Sequence, residues 1–231
     1  MAHNSPEQVR EKYVAKLGDE LGVIYHHLLN EWCSVWLVWK QFENLFGHGQ
    51  ERVTLLNKAG GSFFYLVDQL FFEATILAIC RLSDPPRSAG RRNLTVFSLL
   101  NFMDTNQRRA ELQLRLRAAQ EATMFARDWR NRRISHNDHA LLTNTSAEPL
   151  KEATRIKVSS AIKSLHEVLR YISIELMQTD LHDEVIDQLN NEMVLLDRLY
   201  LGQLAHEKEL LDLRLDQDTR LERPLWLRNK N

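Results

Sequence analysis

The sequence predicts an all-α fold, an up-and-down bundle of long helices followed by a C-terminal helical extension. Three observations predict it. Only eight glycines and five prolines punctuate 231 residues, so long stretches run without a breaker. Apolar residues recur at three- and four-residue steps, the period of a helix with one buried face, and almost no alternating strand pattern is present. Hydrophobic side chains make up 44% of the chain, enough for one substantial core or a core with an appendage.

The first helix starts at Ser5-Pro6-Glu7, which supplies a cap, a first-turn proline and an acid. It runs to about Phe46 with a bend expected at Gly18 or Gly22. Tyr25, Trp32, Trp36 and Trp39 form one aromatic stripe along it, read as core because Leu28, Leu29 and Val35 surround it. Gly47-His48-Gly49 is a turn. A second helix from about Glu51 to Leu82 is apolar nearly all round, which marks it as the central, most buried one, with close packing or a bend at Gly60-Gly61. Residues 83–90 read as a surface loop, Asn93 as the cap of a short helix to about Met103, and Asn106 as the start of a long arginine-rich helix toward His136. Leu112, Leu116, Ala119, Thr123, Ala126 and Trp129 form the core-facing line of that helix. Residues 143–149 are a loop. A helix from about Ile156 to Met177 then completes the bundle through Val158, Ile162, Leu165, Leu169, Ile172 and Leu176, with His166 on its surface flank. Residues 1–178 are assigned to the bundle and 179–231 to the extension. There an amphipathic helix through Val185, Leu189, Met193, Leu196 and Leu199 is either an arm for a partner subunit or a further bundle helix, and Arg223-Pro224-Leu225-Trp226-Leu227 is a short apolar plug.

Thirty basic and 31 acidic side chains give a formal net charge of −1, so any RNA binding must come from local clusters. Arg108, Arg109, Arg115, Arg117, Arg127, Arg130, Arg132 and Arg133 are such a cluster on one helix, or else simply its solvated face. The two cysteines, Cys33 and Cys80, read as buried free thiols of a cytoplasmic protein. No apolar run reaches bilayer-spanning length, and no secretion signal or membrane association is expected. Neither a metal site nor a cofactor site is read: Cys-His spacing is absent, and His136-Asn137-Asp138-His139 lacks outside ligands.

The chemistry concentrates in Asp128-Trp129-Arg130-Asn131-Arg132-Arg133-Ile134-Ser135-His136. Arg130 and Arg133 offer planar forks that match phosphate oxygens, Asn131 both donates and accepts, and histidine, at position 136, is the one side-chain type whose unperturbed pKa lies near neutrality. Those are the parts needed to cut RNA without a metal. Arginines and a histidine at a helix C-terminus also complement its dipole, which is the purely structural alternative. On an ideal helix Arg130 and His136 lie about 120° apart, so either the helix loosens before His136 or two copies of the motif face each other. Glu73 stands in the apolar helix with Arg81 about two turns on and within roughly 80° of the same face. The pair is either a structural ion pair, between themselves or with Asp84, or Glu73 orients Arg130 or His136.

Arg130-Asn131, four intervening residues and His136 resemble the signature of the HEPN superfamily. Trp39 to Phe46, Phe63-Phe64, Phe72-Glu73, Leu77 to Pro85, Asn93-Leu94 and Asp128 to Asn131 are similar, in that order, to its abortive-infection-U (AbiU-like) branch. The resemblance covers roughly Leu17 to His139 and fades after Thr143. It implies a HEPN-like helical bundle that forms a homodimer with both motifs in a shared cleft. Many such proteins are metal-independent ribonucleases of phage defence or toxin–antitoxin systems, while others have lost activity and serve as binding modules. Carried over residue by residue, Arg130, Asn131 and His136 fall on the motif, and Glu73, Arg81 and Asp84 on further polar positions, with Arg133 beside them. The expected function is an endoribonuclease acting on tRNA or mRNA without a cofactor, with an antitoxin or other protein as a further partner. The alternative is a non-catalytic helical module that binds a partner protein or nucleotide.

Overall fold

The computed structural model describes residues 5–88, 90–136, 138–143, 147–182 and 191–214. Its elements are α1 (Pro6–Leu17), α2 (Asp19–Phe42), a π turn (Glu43–Gly47), α3 (Gln50–Ser83), β1 (Arg87–Ser88), β2 (Arg91–Arg92), a 3-10 helix (Val96–Phe102), α4 (Asn106–Trp129), a second π turn (Arg130–Ile134), α5 (His139–Thr143), α6 (Arg155–Met177) and α7 (Asn191–Arg214). The fold is all-α, and the strands are two residues each. The chain divides into two compact units, one of residues 1–43 and 68–189, the other of 44–67 and 190–231.

In the first unit, Ser5 and Gln8 form a reciprocal capping box: the Ser5 hydroxyl accepts from the Gln8 amide at 3.2 Å, and the Gln8 side chain accepts from the Ser5 amide at 2.9 Å. The two glycines expected to bend the first helix do different jobs. Gly18 breaks it with φ +84°, in the left-handed region that favours glycine. Gly22 lets α1 fold back onto α2, since a Cβ there would lie 2.5 Å from the Val14 Cα.

The aromatic stripe of α2 is core, with Tyr25, Trp32, Trp36 and Trp39 at most 8% exposed. Burying a polar tip requires a partner, and α6 supplies them. Tyr25 OH donates to the Leu169 carbonyl at 3.3 Å, Trp32 Nε1 to the Ile162 carbonyl at 3.0 Å, and Trp39 Nε1 to Ser159 Oγ at 2.7 Å. His166 is a correction. Instead of sitting on the surface it is 4% exposed, with its ring 4.5 Å from that of Trp32. Both α2 and α4 pack on α6, so α6 buries a wider face than its Val158–Leu176 seam. The core-facing line of α4 is buried as expected from Leu112 to Ala126, with Trp129 half-buried. Tyr171 on α6 donates to the Arg108 carbonyl at 3.2 Å, and the Arg115 guanidinium lies 4.3 Å from its ring centroid.

The second unit holds the first π turn from Asn44 on, α3 as far as Val67, and α7. Here α3 kinks at Gly60, as the glycine pair suggested. Leu45, Leu56, Phe64 and Leu196 are buried, the Asn44 amide donates to Glu192 at 2.5 Å, and Lys58 pairs with Glu207 at 3.2 Å. Val185, Leu189 and the apolar stretch 223–227 lie outside the described residues.

The expectation that α3 is the most buried helix is overturned. Phe63, Tyr65, Leu66 and Leu70 are all more than half exposed, and burial concentrates in its last turns at Ile76, Ile79, Cys80 and Leu82. An all-round apolar pattern says what a helix tolerates, while only packing decides which turns are covered. By length and composition α3 does suffice to cross a membrane, contrary to the sequence expectation, although Asp68 and Glu73 sit within it and 33% of its most apolar window is buried in the fold.

Two outcomes follow for the first unit. Gly22→Ala adds a methyl group against Val14 backbone; the overpacking cost of about 1–3 kcal/mol outweighs the roughly 1 kcal/mol of helix propensity gained, so urea denaturation should show net destabilisation. Burial pushes the Cys33 and Cys80 thiols up to about 11. Each is then about 0.1% thiolate at pH 8, so both should resist Ellman's reagent in the native protein, react on unfolding, and gain reactivity about tenfold per pH unit below 11.

Candidate functional site

The arginine motif is delivered by α4. It begins at Asn106, as expected, and its cap is Thr105, with Thr105 Oγ1 accepting from the Arg108 amide at 3.2 Å. At the other end the helical ladder widens: the Ser135 amide donates to the Arg130 carbonyl, five residues back, at 2.8 Å. This makes the π turn, and a bend at Ser135 and His136 follows. The helix therefore loosens before His136, one of the two routes that the spacing left open. The cause lies on either side. Trp129 packs edge-on against Phe72 at 5.0 Å and donates to the Lys151 carbonyl at 2.7 Å, while Ile134 also packs on the core. Residues five apart on an α-helix are about 140° apart, and the wider turn brings these two toward one side.

Within the motif the side chains divide. Arg130 Nη1 donates to Asp84 Oδ2 at 2.6 Å, and Arg130 Nε donates to Asn131 Oδ1 at 3.1 Å. Arg127 adds a second cation to Asp84 at 3.6 Å and donates to the Ser83 carbonyl at 2.7 Å. The Asp84 and Arg130 side chains are 23% and 24% exposed, so the pair is half-withdrawn from water. Arg132 builds the following loop: it pairs with Asp128 at 3.6 Å, donates to Asp138 at 3.0 Å and reaches the Glu148 carbonyl at 2.7 Å. Asp138 also accepts from the Leu141 amide at 3.1 Å, which starts α5. That backbone N–H first, and Arg132 second, hold its carboxyl below the ordinary aspartate range. Asn131, Arg133 and His136 are exposed, and neither Arg133 nor His136 has a hydrogen bond or ion pair among the described residues.

Asp84, Arg130 and Asn131 thus form one bonded chain, with Arg133 and His136 on the solvent side. The other two candidates lie apart from it. Arg81 does not pair with Glu73 or Asp84; its Nε donates to Glu31 at 2.7 Å. The half-buried Glu73 has no polar partner among the described residues. Sequence reasoning missed Glu31, which is 50 residues from Arg81 with no pattern linking them, and the roles of Arg127 and Arg132. Their spacing to Arg130 and Asp128, three and four residues, was the available clue. Of the eight arginines expected as a basic cluster, five meet carboxylates: Arg108 pairs with Glu175 and Asp104, Arg115 with Glu111, and Arg127, Arg130 and Arg132 as above, while Arg109 donates to the Leu100 carbonyl at 3.0 Å. Burial raises the Cys80 thiol, which lies in the same electrostatic neighbourhood, although Arg130, Arg127 and Arg81 pull it the other way.

The two ion pairs should separate on mutation. Asp84→Asn leaves two guanidiniums without their carboxylate and should cost about 1.5–3 kcal/mol, the range for hydrogen bonds to charged groups. Arg81→Gln removes a pair whose arginine is 60% exposed and should cost under about 1 kcal/mol. Chemical denaturation of both variants checks the order.

The model of the HEPN family AbiU2 matches residues 11–195. No curated protein and no solved structure is found to match the chain. The family match extends past both ends of the stretch from Leu17 to His139, taking in α6 and the start of α7. This chain therefore belongs to the HEPN AbiU2 family.

Proposed function

We propose that the chain is a metal-independent endoribonuclease of the toxin or phage-defence kind, acting in the cytoplasm on tRNA or mRNA as a homodimer with the two motifs at a shared cleft. The observation that supports this most is the division within the motif: a guanidinium fixed by Asp84, with Asn131, Arg133 and His136 facing solvent beside it at a break in the helix. A fixed cation suits charge that gathers on phosphoryl oxygens, and a solvent-facing histidine suits proton transfer. The substrate's 2′-hydroxyl attacks the adjacent phosphorus, forming a 2′,3′-cyclic phosphate, and the bond to the 5′-oxygen breaks. One His136 takes the 2′-hydroxyl proton, while the twin His136, protonated, gives a proton to the departing 5′-oxygen. Arg130 stabilises the phosphorane and Asn131 positions it. These roles call on no metal, and DNA, lacking the 2′-hydroxyl, is spared.

A second reading, a non-catalytic module that binds a partner protein such as an antitoxin, or a nucleotide, is favoured by one observation. His136 has no orienting hydrogen bond among the described residues, whereas a general base is ordinarily held by one. In the dimer reading the twin motif and the substrate supply that contact.

Purified protein incubated with labelled tRNA and mRNA in EDTA should yield fragments with 2′,3′-cyclic phosphate ends. His136→Ala should lower the rate about 10²- to 10⁴-fold without changing the circular dichroism or the oligomeric state. A folded dimer that cuts neither RNA would move the assignment to the binding module.

A further inference from the structure

The β1–β2 hairpin carries positive charge that the rest of the fold leaves unanswered. Arg87 stands directly opposite Arg92 across the antiparallel pair, and Arg91 opposite Ser88. Like charges facing each other across a ribbon are destabilising, and a hairpin of two-residue strands has little stability to spare. Yet Arg87, Arg91 and Arg92 are all exposed, and their side chains make no hydrogen bond or ion pair among the described residues. On α4 and the π turn after it, by contrast, Arg108, Arg115, Arg127, Arg130 and Arg132 each meet a carboxylate, although Arg109, Arg117 and Arg133 do not. Acids are not scarce in the chain, at 31 against 30 bases.

The hairpin is also held in place from outside. The Asn93 amide donates to the Pro86 carbonyl at 2.8 Å, Asn93 Nδ2 donates to the Pro85 carbonyl at 2.9 Å, and Ser98 Oγ donates to the Asn93 carbonyl at 3.4 Å. Asn93, expected to cap a helix, is instead the clasp that closes the hairpin. Its root at Pro85 adjoins Asp84, the residue that fixes Arg130. Arg87 lies three residues past Asp84, so the two Cα atoms are within about 11 Å. Beside the hairpin is a cavity of about 590 Å³ whose wall includes Arg87, Arg92, Asn93, Ser98 and Asn101. Glu20 also lines it but is not within ion-pair distance of either arginine. A mount closed by hydrogen bonds, three unneutralised guanidiniums, amide and hydroxyl donors alongside, and a root on the motif's anchor suit an element that follows phosphates.

We propose that the β1–β2 hairpin is a docking arm for the sugar-phosphate backbone of RNA, its three arginines taking successive phosphates of the strand that reaches Arg130 and His136. The identity of the ligand rests on the ribonuclease reading, whereas binding by the arm does not require catalysis. The arm confers affinity and register without base preference.

The test uses the full chain carrying His136→Ala, so that the probe stays intact. Binding of a 5′-fluorescein-labelled 20-nucleotide oligouridylate is measured by anisotropy between 50 and 200 mM KCl. The comparison is the same protein with Arg87→Gln, Arg91→Gln and Arg92→Gln. Three phosphate contacts on a single strand contribute about 2 to the slope of log affinity against log salt. Over this fourfold salt range the protein with its arginines should therefore lose about 20-fold more affinity than the triple glutamine variant. A triple lysine variant should keep the slope, and Arg91→Gln alone should lower it by about 0.7, which serves if the triple glutamine variant fails to fold. Equal slopes in the arginine and glutamine proteins, or no salt-dependent binding by the arginine protein, overturn the arm. Failure of the unmutated chain to cleave RNA, with the slope difference intact, overturns the ribonuclease reading and leaves the arm standing.

Discussion

A single carboxylate, Asp84, ties the C-terminal end of α3 to the C-terminal end of α4. Arg127 and Arg130, one helical turn apart, converge on it, and Arg127 also reaches the Ser83 carbonyl. The last carbonyls of a helix have no partner within it, and a cation there also answers the negative end of its dipole. Three features are referred to this one residue: the position of the motif's first arginine, the root of the hairpin and the start of the π turn. At about one-quarter exposure the pair is shielded enough to be stronger than a surface contact, while retaining the hydration that spares it the full cost of burial.

The aromatic seam provides the frame on which that tie operates. Tyr25, Trp32 and Trp39 reach α6 through their polar tips as well as their rings. Each bond fixes the rotation and the axial register of α2 against α6, whereas apolar packing alone would leave sliding inexpensive. On the other side of α6, Tyr171 does the same for α4 through the Arg108 carbonyl. The motif is thus carried on a helix whose register is set about six turns earlier, at the opposite end from the chemistry.

Most of the fold was legible because it depends on local periodicity. The aromatic stripe of α2, the core line of α4 and the seam of α6 are each written at three- and four-residue steps, and burial followed them. Features that depend on distant partners were not legible. Arg81 and Glu31 are bonded, but nothing in either neighbourhood names the other. His166 read as a surface residue because its own helix offered a flank, and it is buried because α2 brings Trp32 onto that flank. The exposed middle of α3 failed for the opposite reason: apolar residues on all sides give no information about which side is covered. At the motif, residue types identified the chemistry to consider, and the spacing identified the conflict between Arg130 and His136. Which arginines face solvent and which are held could be settled only by the carboxylates around them. Asp84 was among the candidates, but the hairpin that it anchors was read as plain loop.

The π turn has a consequence for how chain length is tolerated here. A turn that closes over five residues holds one more than an α turn, so an α-helical wheel drawn through Trp129 misplaces the residues that follow by about one residue's rotation, or 100°. Side-chain identity and side-chain direction are therefore separately encoded between Arg130 and Ile134, the first by the letters and the second by their number. Losing one residue from this stretch would let α4 run on unbroken and, because the π turn absorbs that residue, would leave the side chains beyond it in their present directions. A one-residue gap that would turn everything after it by about 100° elsewhere on a helix is absorbed at this one place.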